Sequence, residues 1–507
     1  SVKIDSSNFL TFTMSENETL SFTQLYQAIE KTNASLDVFY SLWAGAMVFG
    51  MQCGFAMLCA GSLRSKNAKN IMLQNILDVS AGAIGFFLCG YGFALSDGGS
   101  FVGSDPDYFA LSGLTTGSEY IAFFFQFAFA ASAATIVAGT IAERCKMVAY
   151  FCYAFFLTSF VYPVVVHAIW NKEGFLSTDN DNPFRGVGMI DFAGSGVVHM
   201  TGGMCALIGA IVLGPRIGRF YDTAGRPLDE PATFAPHSVS LQVLGTFILW
   251  FGWYGFNAGS TLSITDDDKQ DISALAAVNT TLSGAAAALS AMFLEAILGL
   301  KRDGEIQYDL TMTMNGALAG LVGVTGGCAV FEPWAALVVG LVSGVVYCLG
   351  SYLLIKLKID DSVDGVPVHL FAGIWGCIAT GLFAEPLRTR IAYGEAVENF
   401  GWFYSWGRGS GDANLLLAEF VGILFIAGWT IAIMFPFFGL LRYLGLFRMD
   451  PMEEIVGMDE SRHKGGAYDY SKPDKEAVEA LNLSRSGRRG NFSSNSGSLH
   501  DHLNTSR

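Results

Sequence analysis

The sequence predicts an all-α membrane protein of eleven transmembrane helices, and three observations carry that prediction. Apolar residues make up 51% of the 507 and charged residues only 15%, with a positive mean hydropathy, a balance foreign to soluble globular chains. The apolar residues gather in runs long enough to cross about 30 Å of hydrocarbon. Within these runs one pattern occurs twice: Asp191-x7-His199 followed by Gly203, and Asp361-x7-His369 followed by Gly373. An imidazole in hydrocarbon is costly, so two in matched frames mark a polar path built across a bilayer.

The runs fall at residues 38–63, 75–96, 119–142, 147–170, 192–214, 237–260, 272–300, 310–331, 333–356, 366–387 and 413–445. The connections between them alternate in charge. Arg64, Lys66 and Lys69 follow the first run, Arg144 and Lys146 the third, and Arg216, Arg219 and Arg226 the fifth. Lys301 and Arg302 follow the seventh, Lys356 and Lys358 the ninth, and Arg442 and Arg448 close the eleventh. Basic loops are retained in the cytoplasm, so an odd number of spans puts the N-terminus outside and the C-terminus in the cytosol. The opposite loops carry Asp97, Asp105, Asp107, Asp179, Asp181, Asp266, Asp267, Asp268 and Asp271, an acidic face that attracts cations.

With this topology the fifth span enters from outside at Asp191 and the tenth from inside at Asp361. The two Asp-x7-His units therefore run in opposite directions, as in an inverted five-plus-five repeat with its site near the midplane. The eleventh span is an addition that braces the bundle or an oligomer. Four regions follow: an extracellular segment at 1–37, the eleven-span domain at 38–445, a cytosolic segment at 446–468 that docks under the bundle, and a disordered cytosolic tail at 469–507, rich in Ser, Asn, Gly and Arg. The first segment lacks a basic n-region with an apolar core, so the first span itself directs insertion. Asn17 and Asn33 begin glycosylation sequons in it.

Each histidine lies about 12 Å of helix beyond its aspartate, which places the two rings near mid-membrane where they meet. Dry surroundings favour neutral imidazoles, each with one donor and one acceptor. Such a pair suits a small hydrogen-bonding solute or a relayed proton, and is a poor resting place for a bare cation. Asp191 reads first as a helix cap and then as an attraction for cations at the outer mouth. At the second frame Asp360 and Asp364 flank Asp361, and spacing alone leaves open which is the counterpart. His167 reads as structural, whereas Trp170 gains a role if other aromatics converge on it. The glycines read mainly as helix packing and the nine cysteines as free packing residues. No nucleophile or ligand spacing accompanies the histidines, so neither an enzyme nor a metal or cofactor is expected, and nothing points to a nucleic-acid partner.

Taken together, DFAGSGVVH at 191–199, GFNAGS at 255–260, TIAER at 140–144, AGLVGVT at 319–325 and the Asp361-x7-His369 frame resemble the ammonium transporter family (Amt/Mep/Rh), Amt branch, eukaryotic members, over about residues 38–468. The resemblance implies uptake of ammonium, with methylammonium as an analogue, by a plasma-membrane homotrimer among lipids, with one pore per subunit. It makes Phe129, Trp170 and Ser260 the outer ammonium site, with Asp191 as the acidic residue beside it. Phe129 and Phe256 become the phenyl gate, His199 and His369 the pore-lining proton relay, and Trp253 an inner-pore residue. It also makes Ser461 a regulatory phosphorylation site for a protein kinase, although Ser stands where Thr is usual and Lys464 where Gly is common. A sensor that binds ammonium and signals through its tail with little flux is the alternative.

Overall fold

The computed structural model describes residues 3–4, 10–14, 18–20, 22–222, 224–394 and 397–468. Asn17 and the tail at 469–507 lie outside the described residues. Three short antiparallel strands, Lys3–Ile4, Leu10–Met14 and Glu18–Leu20, precede the helices. Ten described helices are long and apolar enough to cross a membrane: α1 Phe22–Ser62, α2 Ser65–Leu95, α3 Gly117–Thr140, α4 Met147–Trp170, α5 Ser195–Leu213, α6 Val239–Thr261, α7 Asp267–Arg302, α9 Pro333–Lys356, α10 Val366–Phe383 and α11 Asn414–Tyr443. Between α7 and α9 the eighth expected span is the shorter apolar helix α8, Leu310–Thr325.

Two departures from the apolar runs have identifiable causes, one local and one long-range. The first helix starts at Phe22, well ahead of residue 38, because 22–37 contains helix formers without Gly or Pro. Asn33 therefore lies on a helix. The eighth run ends its helix early because the chain beyond Thr325 is used elsewhere. Gly326 O and Thr325 O accept from the N–H groups of Phe192 and Ala193 at 2.8 and 3.2 Å, and Gly326 N–H donates to Ser195 Oγ at 2.6 Å. The unwound end of α8 thus satisfies the unwound approach to α5, as buried backbone requires.

The alternate basic connections converge on one face. Arg64 pairs with Glu143 at 2.6 Å, Glu143 with Arg216 at 3.1 Å, and Arg216 with Asp360 at 2.8 Å. Arg144 donates to Asp360 O at 2.6 Å, and Arg448 reaches Leu213 O at 2.9 Å. Connections after the first, third, fifth and ninth spans therefore lie together with the segment beyond the eleventh, as strict alternation through a bilayer demands. Within the bundle α1 packs along α6, and α5 crosses α10. These are the pairs that two inverted halves bring together.

Candidate functional site

Both histidines sit on π-helical openings, Ser195–Met200 at the start of α5 and Val366–Phe371 at the start of α10. Each opening has its free N–H groups held by a carboxylate. Asp191 Oδ2 accepts from Gly196 and Val197 at 2.9 and 2.8 Å, and Asp361 Oδ2 accepts from Val366 at 2.7 Å. Asp361 is therefore the counterpart of Asp191. Asp360 is engaged by Arg216, and Asp364 accepts from Tyr347 and Ser351, each at 3.0 Å. The path from Asp191 to His199 is not the continuous helix expected, because residues 191–194 are unwound and Gly194 takes φ +104°. The wide turn is a device that aims a side chain inward, as π-bulges at functional sites do.

The Nδ1 atoms of His199 and His369 are 3.2 Å apart, with ring centroids at 5.3 Å. One proton serves that contact, so one ring donates through Nδ1 while the other accepts and carries its proton on Nε2. His199 Nε2 is buried and has no hydrogen-bond partner among the described residues. Indole and phenyl rings line the pair: Trp253 lies 5.1 Å from His199, Phe256 5.4 Å, and Phe55 6.2 Å from His369. Trp253 is itself held by its N–H on Thr325 Oγ1 at 3.0 Å.

Above His199, Phe256 stacks on Phe129 with centroids 4.1 Å apart and an interplanar angle of 25°. Phe129 meets Trp170 edge-on at 6.0 Å and Phe125 at 4.8 Å. Beyond these rings opens a cavity of about 450 Å³ bordered by Phe125, Phe129, Trp170, Asp191 and Ser260. Ser260 Oγ donates to Phe256 O at 2.7 Å, which leaves its oxygen lone pairs as acceptors. Trp170 donates its indole N–H to Asp191 O at 2.7 Å. Asp191 is only 2% exposed; its Oδ1 has no partner among the described residues. His167 places both ring nitrogens on carbonyls, of Ala94 and Gly99, as the structural reading expects.

On the other side of the histidines a cavity of about 20 Å³ is lined by Phe55, Thr135, Val363, Val368 and His369. A second, of about 190 Å³, lies at the basic face among Arg216, Arg219, Asn315, Asp361 and Asp364. The large cavity, the phenyl pair, the histidine pair and the two smaller cavities thus follow one another through shared contacts. The model of the Ammonium Transporter Family matches residues 38–468. The chain belongs to the ammonium transporter family.

This transporter is 41% identical to Ammonium transporter 1 member 3 of Solanum lycopersicum, covering 87% of this chain and 95% of that one. It is 44% identical to Ammonium transporter 1 member 2 of Arabidopsis thaliana over 82% of this chain and 80% of the relative. Among solved structures it resembles a Sensor Amt Protein, with TM-score 0.72, 31% identity and coverage of 85% and 99%. It also resembles Candida albicans Mep2, with TM-score 0.70, 27% identity and coverage of 83% and 87%.

Ser461 lies on the short helix Met458–Arg462, which follows Pro451–Val456 and docks on the start of α2. Asp459 caps that start, accepting from the N–H groups of Lys69 and Asn70 at 2.9 Å each. Lys69 Nζ in turn reaches Gly465 O at 2.7 Å, and Met458 N–H donates to Asn67 Oδ1 at 2.9 Å. Ser461 is an exposed residue whose Oγ donates to Gly457 O at 2.8 Å.

Sequence reading missed three parts of this transporter. Phe125 sits beside Phe129 with nothing in its spacing to single it out. The Arg64–Glu143–Arg216–Asp360 network joins loops far apart in sequence; burial pushes Glu143 and Asp360 upward, but Arg216 together with Arg64 at Glu143, and Arg216 together with Arg144 at Asp360, outweigh it and hold both carboxyls below their usual range. Glu419 is fully buried in α11 and accepts from the N–H of Ile190 at 2.9 Å. An acid inside an apolar run was a visible signal.

Proposed function

We propose that the protein takes up ammonium selectively by binding the cation at the aromatic mouth, removing a proton, and conducting ammonia and proton along the histidine pair. The observation that carries this reading is the 3.2 Å contact of His199 and His369 at the foot of the Phe129–Phe256 stack, between two cavities. Trp170 and Phe129 offer ring faces, Ser260 offers an oxygen acceptor, and Asp191 contributes its buried charge to the mouth. A ring face over a cation contributes about 0.5 to 2 kcal/mol. Potassium resembles ammonium in charge and size but has no proton to give, so a dry phenyl gate followed by imidazoles rejects it. Selectivity then arises from deprotonation.

In this reading the basic face is cytosolic, the mouth opens outside the plasma membrane, and three copies assemble with one pore each. Phosphorylation of Ser461 by a kinase adds charge beside Asp459 and Glu460, which undocks the tail from α2 and closes the pore. Uptake of labelled methylammonium into cells lacking their own ammonium transport tests the function. Saturable uptake that ammonium competes and potassium does not is expected; uptake no greater than in empty cells overturns it.

A second reading, an ammonium sensor with little flux, draws support from the tail's direct cap on α2 and from the likeness to a solved Sensor Amt Protein. Binding at the mouth is common to both readings, whereas flux belongs to the first alone.

A further inference from the structure

Glu419 stands where α11 meets the loop that leads into α5. It is completely buried, and an ionisable side chain at such a place in an apolar helix carries a high desolvation cost. Its Oε1 accepts from Ile190 N–H at 2.9 Å, while Oε2 meets no donor among the described residues. Ile190 immediately precedes Asp191, and Asp191 O accepts the indole N–H of Trp170 at 2.7 Å. The peptide between these bonds belongs to no helix or strand. Its neighbours are pinned in the same manner, Met189 N–H on Leu176 O at 2.7 Å and Thr178 Oγ1 on Met189 O at 2.9 Å. Two hydrogen bonds in series therefore tie a carboxyl of the eleventh helix to the indole at the mouth.

We propose that Glu419 is a positioning residue for cation binding: it fixes the Ile190–Asp191 peptide and, through it, the plane of the Trp170 ring. The inference rests on the reading of the aromatic mouth given above and gives α11 a part in the site as well as in bracing the bundle. What the site needs from Glu419 is an acceptor at the right reach, since the contact it makes is with a backbone N–H. A glutamine supplies the same acceptor at the same distance, and an aspartate withdraws it by one methylene while keeping the charge.

The test is methylammonium uptake as a function of concentration for Glu419→Gln, Glu419→Asp and Trp170→Leu, normalised to protein at the cell surface. The expected result is a KM within about twofold of the parent for Glu419→Gln, and a KM raised about five- to tenfold with Vmax within about twofold for Glu419→Asp. Added to Trp170→Leu, Glu419→Asp should change KM by less than about twofold, because both act through one ring. A parental KM in Glu419→Asp overturns the proposal, as does a larger defect in Glu419→Gln than in Glu419→Asp, which would assign the effect to charge. A parental KM in Trp170→Leu overturns the mouth reading itself; a raised KM there with an unchanged Glu419→Asp removes only the role of Glu419.

Discussion

Gly203 of α5 lies so close to Leu370 of α10 that a Cβ on the glycine would stand 2.5 Å from the Leu370 amide nitrogen. The contact is reciprocal: a Cβ on Gly373 would stand 2.6 Å from Ser195 O. Each glycine follows one of the paired histidines by one helical turn, so the V-H-x3-G frame pairs a side chain aimed inward with a bare backbone that lets the opposing helix approach. The close crossing is what brings the two imidazoles into contact.

Gly203→Ala and Gly373→Ala should each force the crossing apart. Overpacking at such a contact costs about 1 to 3 kcal/mol. Lower thermal stability with reduced uptake per surface molecule is expected; full uptake in both variants would show that the histidine contact tolerates separation.

Ser260→Ala removes the acceptor at the mouth but leaves the phenyl stack and the histidines in place. KM for methylammonium should rise about three- to tenfold with little change in Vmax. An unchanged KM would remove Ser260 from the binding site.

The frames were legible because an Asp, a His and a Gly at helical spacing recur unchanged in both halves, and the charge of alternate loops is local information. The mouth residues Phe129, Trp170 and Ser260 were reached through family resemblance; spacing alone offered them no chemistry. Asp361 was ambiguous because three acids crowd 360–364, and only the hydrogen bonds to Val366, Arg216 and Tyr347 separate them. The early end of α8 and the bond from Ile190 to Glu419 depend on chain partners more than a hundred residues away, beyond the reach of any periodicity.

The buried network at the basic face should give acid sensitivity. Glu143 and Asp360 are held below their usual range when folded, so their contribution is complete above about pH 4, the unfolded carboxyl range, and drains away as pH falls below it. Asp360→Asn leaves Arg216 without its main partner and should cost about 3 kcal/mol at neutral pH. The variant should also show a shallower loss of stability on acidification, measured by thermal unfolding of the purified protein across pH. A variant as stable as its parent would mean the network does not brace the fold.

Ser461→Asp should weaken tail docking, because the new carboxylate joins Asp459 and Glu460 at the α2 start. Uptake reduced at least tenfold, together with faster proteolysis of the tail, is expected from the charge added at this contact. Normal uptake with a docked tail would remove Ser461 as a switch.

Voltage-clamp recording of ammonium and potassium currents, with His199→Ala and His369→Ala beside the parent, tests the central claim most directly. The account predicts an inward current in the parent that rises with ammonium and ignores potassium, and in each variant either no ammonium current or a current that potassium also carries. Ammonium-selective currents of parental size in both variants would contradict it.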